Sequence, residues 1–192
     1  MNSIMPLLSR FVIAAAMITT GWVNCFTFVG VSSEQVLSLE AMELQVKTDA
    51  ETGDQTTRGH HRIALLLDTQ WPQLGGWGKL LSWSAAIFEL LAGVLVLIGL
   101  FTRLSAFVIC IIMGVALYIV SYKLNGMFTM NPFDWPLHQV AFSQLFTETC
   151  IFVLSLWIVV GGGGLLSVDS FQTRRIEGSK LSKDKSTKKG DD

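Results

Sequence analysis

The chain has 192 residues, enough for one domain of ordinary size, with 51% hydrophobic residues and only 15% charged ones. Soluble domains carry about 25% charged residues, and a formal net charge of −1 leaves no electrostatic footprint for a nucleic-acid or acidic partner. The charges are unevenly spread: they gather around 34–68 and after Asp169, and several long windows are almost free of them.

A helix that crosses the hydrocarbon layer needs about 20 mainly apolar residues. Four windows answer to this, at 7–31, 80–100, 104–121 and 140–160. None has the polar face of a soluble helix, and none alternates as a barrel strand would. The fold class read from the sequence is therefore an all-α membrane protein, a bundle of four transmembrane helices with a long external connector between the first two. Its domain occupies residues 1–170, the external insertion 32–78, and a disordered basic cytoplasmic tail 171–192. The first window carries Arg10 and small residues Ala14–Ala16 in the manner of a signal peptide. Its apolar stretch runs on through Phe26 and Val29, which favours an uncleaved span.

Lys and Arg beside short loops set orientation. Arg10 precedes the first window, Arg103 lies in the turn between the second and third, and Arg174, Arg175, Lys180, Lys183, Lys185, Lys188 and Lys189 lie in the tail. With four crossings these fall on one side, so both termini are expected in the cytoplasm of a multi-pass protein of the plasma (inner) membrane.

In the connector, Ser32 and Gln35 have the spacing of a capping box, opening a partly amphipathic stretch to Val46 that suits a membrane surface. Residues 47–62, rich in Thr, Asp and Gly, read as a mobile loop. Trp71, Trp77, Trp83 and Trp135 suit an interfacial aromatic belt.

The residues that lipid should reject are the informative ones. Glu89 lies about 14 Å and Glu148 about 12 Å along their helices from the external end, at about 1.5 Å per residue. Their similar depth permits a shared polar site, and Asn24 and Gln144 are the other polar side chains on stripes that could face it. Ala16, Thr20, Asn24 and Thr27 form one stripe. Ser82, Ala86, Glu89 and Gly93 form another, Cys110, Gly114, Tyr118 and Ser121 a third, and Gln144, Glu148 and Ser155 a fourth. Small and hydrogen-bonding residues also serve plain helix packing, and either carboxyl could be a neutral acid bonded across the bundle. The alternative is a proton-accepting or quinone-contacting group. Arg10 reads as an interfacial anchor, and Cys25, Cys110 and Cys150 as small hydrophobes. The adjacent His60–His61 lacks metal-ligand spacing. P-loop, dinucleotide, nucleophile-elbow and HExxH signatures are missing, so catalytic residues, a metal site and a resident cofactor are not indicated.

Phe88-Glu89-Leu90-Leu91-Ala92-Gly93, continuing through Gly99, Leu100, Thr102 and Arg103, resembles the second helix and following turn of DoxX-family membrane proteins. Gly163-Gly164-Leu165-Leu166-Ser167-Val168-Asp169 is similar to that family's terminal motif, so the likeness covers 80–170. At the first helix, Gly21 is followed by Trp22, where family members often have Lys. The resemblance implies a four-helix membrane bundle and an accessory subunit of a membrane redox system, with quinone as the implied cofactor and Glu89 as its focus. It implies a lipid environment, with a membrane redox partner or further copies of the chain as the protein partners. Two other readings stay open: an assembly protein that holds a partner through 32–78, and a small-solute or proton carrier.

Overall fold

The computed structural model describes residues 4–49 and 53–162. Helix α1 (Ile4–Phe26) is followed by a connector containing β1 (Phe28–Gly30), α2 (Ser33–Ala41), β2 (Lys47–Thr48), β3 (Gln55–Arg58) and α3 (Gly59–Gln70). Then come α4 (Trp77–Ile98), α5 (Thr102–Ala116), a π-helical segment (Leu117–Leu124) and α6 (Gln139–Gly161). Among the described residues four helices are long and apolar enough to cross a membrane: Pro6–Phe26, Trp77–Ile98, Thr102–Leu124 and Gln139–Gly161. The protein is thus an all-α, four-span membrane protein, as its apolar windows predict. Its C-terminal motif and basic tail lie outside the described residues.

Large apolar side chains coat the outside of the bundle, among them Phe11, Trp22, Phe88, Leu104, Phe107, Phe146 and Trp157. That is the inverse of a soluble protein, and it suits a surface solvated by lipid. Inside, Ile13, Met17, Ala92, Val96, Ala106, Ile109, Met113, Ile151 and Ile158 form one buried cluster. The most extensive helix pairings are α1 with α4 and α5 with α6. At the first pairing two glycines bring backbones together. A Cβ on Gly21 would lie 2.7 Å from the Leu90 backbone nitrogen, and one on Gly93 2.9 Å from Met17 Cβ. Close approach through small residues is how helices gain dispersion contact where lipid removes the hydrophobic incentive.

The turn after α4 is sharp because Gly99 takes a left-handed conformation (φ 80°), a helix stop that glycine adopts without a Cβ penalty. Phe101 is left-handed too (φ 48°), which reverses the chain before Thr102 starts α5. Arg10 sits against this end of α4. It is 2% exposed, with Nε donating to Val96 O and Nη2 to Leu97 O, both at 2.9 Å. It supplies donors to the last carbonyls of a neighbouring helix, where a cation also meets the negative end of the helix dipole. At the far end of the bundle's last helix, Gly162 is left-handed (φ 78°) and the Arg103 guanidinium lies beside it.

The connector is folded where its composition reads as a loop. Its strands form an antiparallel sheet in the order β1-β3-β2, with Val29 opposite Thr57 and Lys47 opposite Thr56. Gln55-Thr56-Thr57-Arg58 supplies β-branched residues suited to a pleated surface, but their partners lie up to 30 residues back, so local patterning does not reveal the pairing. The Ser32–Gln35 capping box is present at the start of α2. That helix turns Val36 and Leu39 into the protein, so its apolar side serves the connector's own packing. The first span correspondingly ends at Phe26, five residues before the apolar window does, because Phe28–Gly30 is recruited into the sheet. Helix α3 packs on α4 and α1. Trp71 and Trp135 terminate a run of neighbouring rings through Tyr118, Tyr122 and Phe128, with centroids 5.7 to 6.4 Å apart.

Candidate functional site

Ser82, Ala86 and Glu89 of the second-span stripe are all buried and turned into the bundle. Across the Gly21–Leu90 contact, α1 places two polar side chains on Glu89. Thr20 Oγ1 lies 2.6 Å from Glu89 Oε1, and Asn24 Nδ2 donates to Oε2 at 2.9 Å. The residues four apart on α1, Thr20 and Asn24, thus bracket the carboxyl from one helical face.

The Thr20 hydroxyl has one proton and three acceptors in reach, since Ala16 O lies 2.8 Å and Met17 O 3.4 Å away beside the Glu89 carboxyl. With Glu89 ionised, Thr20 donates to the carboxylate. With Glu89 protonated, the acid donates to Thr20, which donates onward to Ala16 O. Both forms are satisfied without moving a heavy atom, so the site can take up or release a proton at little structural cost. Glu89 is 6% exposed, whereas Thr20 lies on the exposed face of α1. The hydroxyl is therefore the element through which the carboxyl can be reached from outside the bundle.

Glu148 belongs to a different cluster. Ser121 Oγ donates to its Oε2 at 2.8 Å and Gln144 Nε2 to its Oε1 at 3.1 Å. Among the described residues no hydrogen bond joins the two clusters. Glu89 pairs with Asn24, and Glu148 with Gln144. Ser121 reaches Glu148 because the third span changes to π-helical geometry at Leu117. The wider turn rotates Ser121 inward and leaves Tyr118 exposed, so the stripe Cys110, Gly114, Tyr118, Ser121 does not keep one face. Sequence periodicity assumes a constant turn and cannot register this shift.

Two contributors to the Glu89 site come from the connector, and no local pattern points to them. A Cβ on Gly59 would lie 2.7 Å from Asn24 Cα, so only glycine lets the start of α3 rest on the end of α1. The next residue, His60, donates from Nδ1 to Asn24 O at 3.2 Å. His61 Nδ1 lies 2.7 Å from Thr57 Oγ1, which itself donates to Gln45 O. The connector thus clamps the residue whose amide holds Glu89.

Burial pushes the His60 imidazole below its ordinary range; the bond to Asn24 opposes this, and Arg58 adds to it. Burial lowers His61 as well, aided by His60, Arg58 and Lys79 and opposed by its contact with Gln45 O. The unfolded connector therefore binds protons more tightly than the folded one. Its stability is intact above the ordinary imidazole value of about 6.5 and declines as pH falls below it. Amide exchange in 55–62 should accelerate between about pH 7.5 and about pH 5 beyond the intrinsic rate change. Replacing both histidines by glutamine should flatten that response. Protection that stays constant over this interval in the unaltered chain would contradict the clamp's pH dependence.

The DoxX family model matches residues 5–122. The matched stretch contains the first two spans, the third up to residue 122, the connector, and Thr20, Asn24 and Glu89. It includes the first helix, where the sequence departs from the family's Gly-Lys ending, and it stops before α6 and Glu148. No curated protein and no solved structure gives a match. With more than half of its length matched by the family model and four membrane-spanning helices in place, the chain belongs to the DoxX family.

Proposed function

We propose that the protein is an accessory subunit of a quinone-linked redox system in the plasma (inner) membrane, with both termini cytoplasmic. The observation that carries this reading is the Glu89–Thr20–Asn24 cluster: a buried carboxyl that accommodates both protonation states, reached through a hydroxyl on the exposed face of α1. These groups suit a quinone ring, since a carbonyl oxygen accepts from Thr20 or the protonated acid and a ring hydroxyl donates to the carboxylate. The ring, when bound, supplies the electron-accepting chemistry. Glu89 holds or releases the accompanying proton at Oε1, Thr20 directs it, and Asn24 fixes the carboxyl's orientation. Electrons come from a partner subunit, as this sequence carries no cofactor-binding motif of its own.

Glu89→Gln keeps the shape and the Asn24 and Thr20 contacts but removes the exchangeable proton. Quinone-linked activity of membranes carrying this variant should fall about 100-fold, the smaller end of a general acid–base contribution, with the protein inserted at normal abundance. Unchanged activity at equal abundance would remove Glu89 from the mechanism.

A second reading, an assembly protein that holds a partner through 32–78, is favoured by the folded state of the connector, whose β1 and β2 are edge strands. An unpaired strand edge is a template for strand addition. Proline at Gly30 and Thr48, whose amides face away from β3, should together abolish co-purification of the partner while the four spans stay assembled. Undiminished recovery would count against those edges.

A further inference from the structure

We propose that Glu148 is a second proton-exchange site, independent of Glu89 and opened to water at the connector end of the bundle by a vestibule that ends on Gln144.

Three separate features of the fold converge on it. The first is the carboxyl itself. Glu148 is 8% exposed, and its bonded partners are the Ser121 hydroxyl and the Gln144 amide. No cationic side chain bonds it among the described residues. The titratable and charged groups on the elements packed against α6 are Arg10 and Cys25 of α1, Arg103 and Cys110 of α5, Tyr118, Tyr122 and Lys123 of the π-helical segment, and Asp134 of the short turn Pro132–Leu137, while α6 adds Cys150 and has His138 at its start. Lys123 is turned onto the Tyr118 and Tyr122 rings, 5.8 Å from each centroid. A carboxylate inside the hydrocarbon layer without a counter-ion is costly, and a proton is what removes its charge. Helix adhesion alone would be served by a neutral Ser–Gln pair, whereas a carboxyl adds the ability to change charge.

The second feature is access. A cavity of about 340 Å³ is lined by Asn125, His138, Gln139, Val140, Ala141 and Gln144. It opens at the start of α6, and Gln144, whose amide donates to Glu148, forms part of its wall. Asn125, His138 and Gln139 place polar groups beside Gln144 in its wall, to which water entering the opening can bond. At Glu89 it is the connector that lies over the site, with Gly59 and His60 pressed on Asn24.

The third feature is the π-helical segment. Helices break their regular bonding in this way frequently at functional sites, and here the break turns Ser121 onto Glu148. The loop beyond holds the break in place. The Met127 amide donates to Ser121 O at 3.0 Å, and Trp135 Nε1 donates to Met127 O at 2.8 Å. The family match ends at residue 122, so this cluster is built largely from the part of the chain beyond it.

The test is infrared difference spectroscopy on the full-length protein in liposomes, comparing acidic with neutral pH. The spectrum should contain a carboxylic-acid C=O band that shifts when D2O replaces water. The band should be lost in Glu148→Gln and retained in Glu89→Gln, and Glu148→Asp should move it without abolishing it, which guards against a folding defect in the first variant. Gln144→Leu, which gives the vestibule an apolar wall, should slow the D2O shift severalfold. Four outcomes overturn the proposal. One is the absence of any band specific to Glu148. Another is a band lost equally in Glu89→Gln, which would make the two carboxyls one site. A third is a band indifferent to D2O, which would seal Glu148 from water. The fourth is suppression of the band by Na+ at fixed pH, which would replace the proton by a metal cation.

Discussion

Gly21→Val should prevent the first and second spans from pairing and lower the yield of folded protein sharply. The position that a Cβ would take is 2.7 Å from Leu90 N, 2.9 Å from Leu90 Cα and 3.0 Å from Leu90 Cβ. Two of these atoms are helix backbone, which cannot rotate aside as the tip of a side chain can. The helices must separate, and separation withdraws Thr20 and Asn24 from Glu89. Overpacking ordinarily costs about 1–3 kcal/mol, and a rigid neighbour places this case at the upper end or beyond. Gly114→Ala and Gly78→Ala are the matched controls. The first would meet only the Phe152 ring at 3.5 Å, and the second nothing within 4 Å. Both should be neutral or slightly stabilising, because alanine favours a helix by up to about 1 kcal/mol. Thermal unfolding in detergent reads all three, and a Gly21→Val protein that melts with the controls would refute the close α1–α4 contact.

Arg10→Ala carries the second large effect. It deletes two charge-assisted bonds in a buried place and leaves Val96 O and Leu97 O short of donors at the end of α4. Bonds to charged groups contribute about 1.5–3 kcal/mol each, so a loss of roughly 3 kcal/mol or more is expected. Arg10→Lys keeps the charge at the helix end but replaces a planar fork by a single ammonium, and should recover about half of that loss. Amide exchange localises the effect: protection at residues 96–101 should drop first, since Gly99 and Leu100 both donate to Leu95 O in the same turn. Wild-type protection there in Arg10→Ala would mean that the carbonyls find other donors and that Arg10 is dispensable.

These two positions also mark how far the sequence reaches. The four spans follow from composition, because about 20 apolar residues have one stable disposition in a bilayer, and the observed helices begin and end within a few residues of the windows except at 27–31. The Ala16–Thr20–Asn24 and Ser82–Ala86–Glu89–Gly93 stripes were legible because ordinary α-helical periodicity holds through both segments. What the sequence withheld depends on long-range pairing or on a break in that periodicity. Arg10 meets its acceptors 86 and 87 residues away. The sheet joins residues 28–30 to 56–58 across a helix and a hairpin. The π-helical turn at Leu117–Leu124 decides which residue faces Glu148. Similar depth along two helices placed Glu89 and Glu148 at one level of the bundle. Helix pairing, which depth does not fix, gave each its own partners.

The division of the bundle into two polar clusters sharpens the functional reading. Glu89 lies under a folded connector whose Gly59 and His60 hold Asn24, so anything that displaces the connector also loosens the carboxyl's orientation. A partner protein seated on the connector would in this way be coupled to the site inside the membrane. Glu148 has its own donors and its own opening, and a change at one carboxyl should leave the hydrogen bonds of the other in place.

The most direct test of the central claim is to count the quinone that remains with the protein after mild purification from its native membranes, for the unaltered chain and for Glu89→Gln. The account predicts quinone in near-stoichiometric amount with the unaltered chain and its loss in Glu89→Gln, at equal recovery and equal thermal stability. Quinone retained at the same level by both proteins, or absent from both, would contradict a quinone site at Glu89.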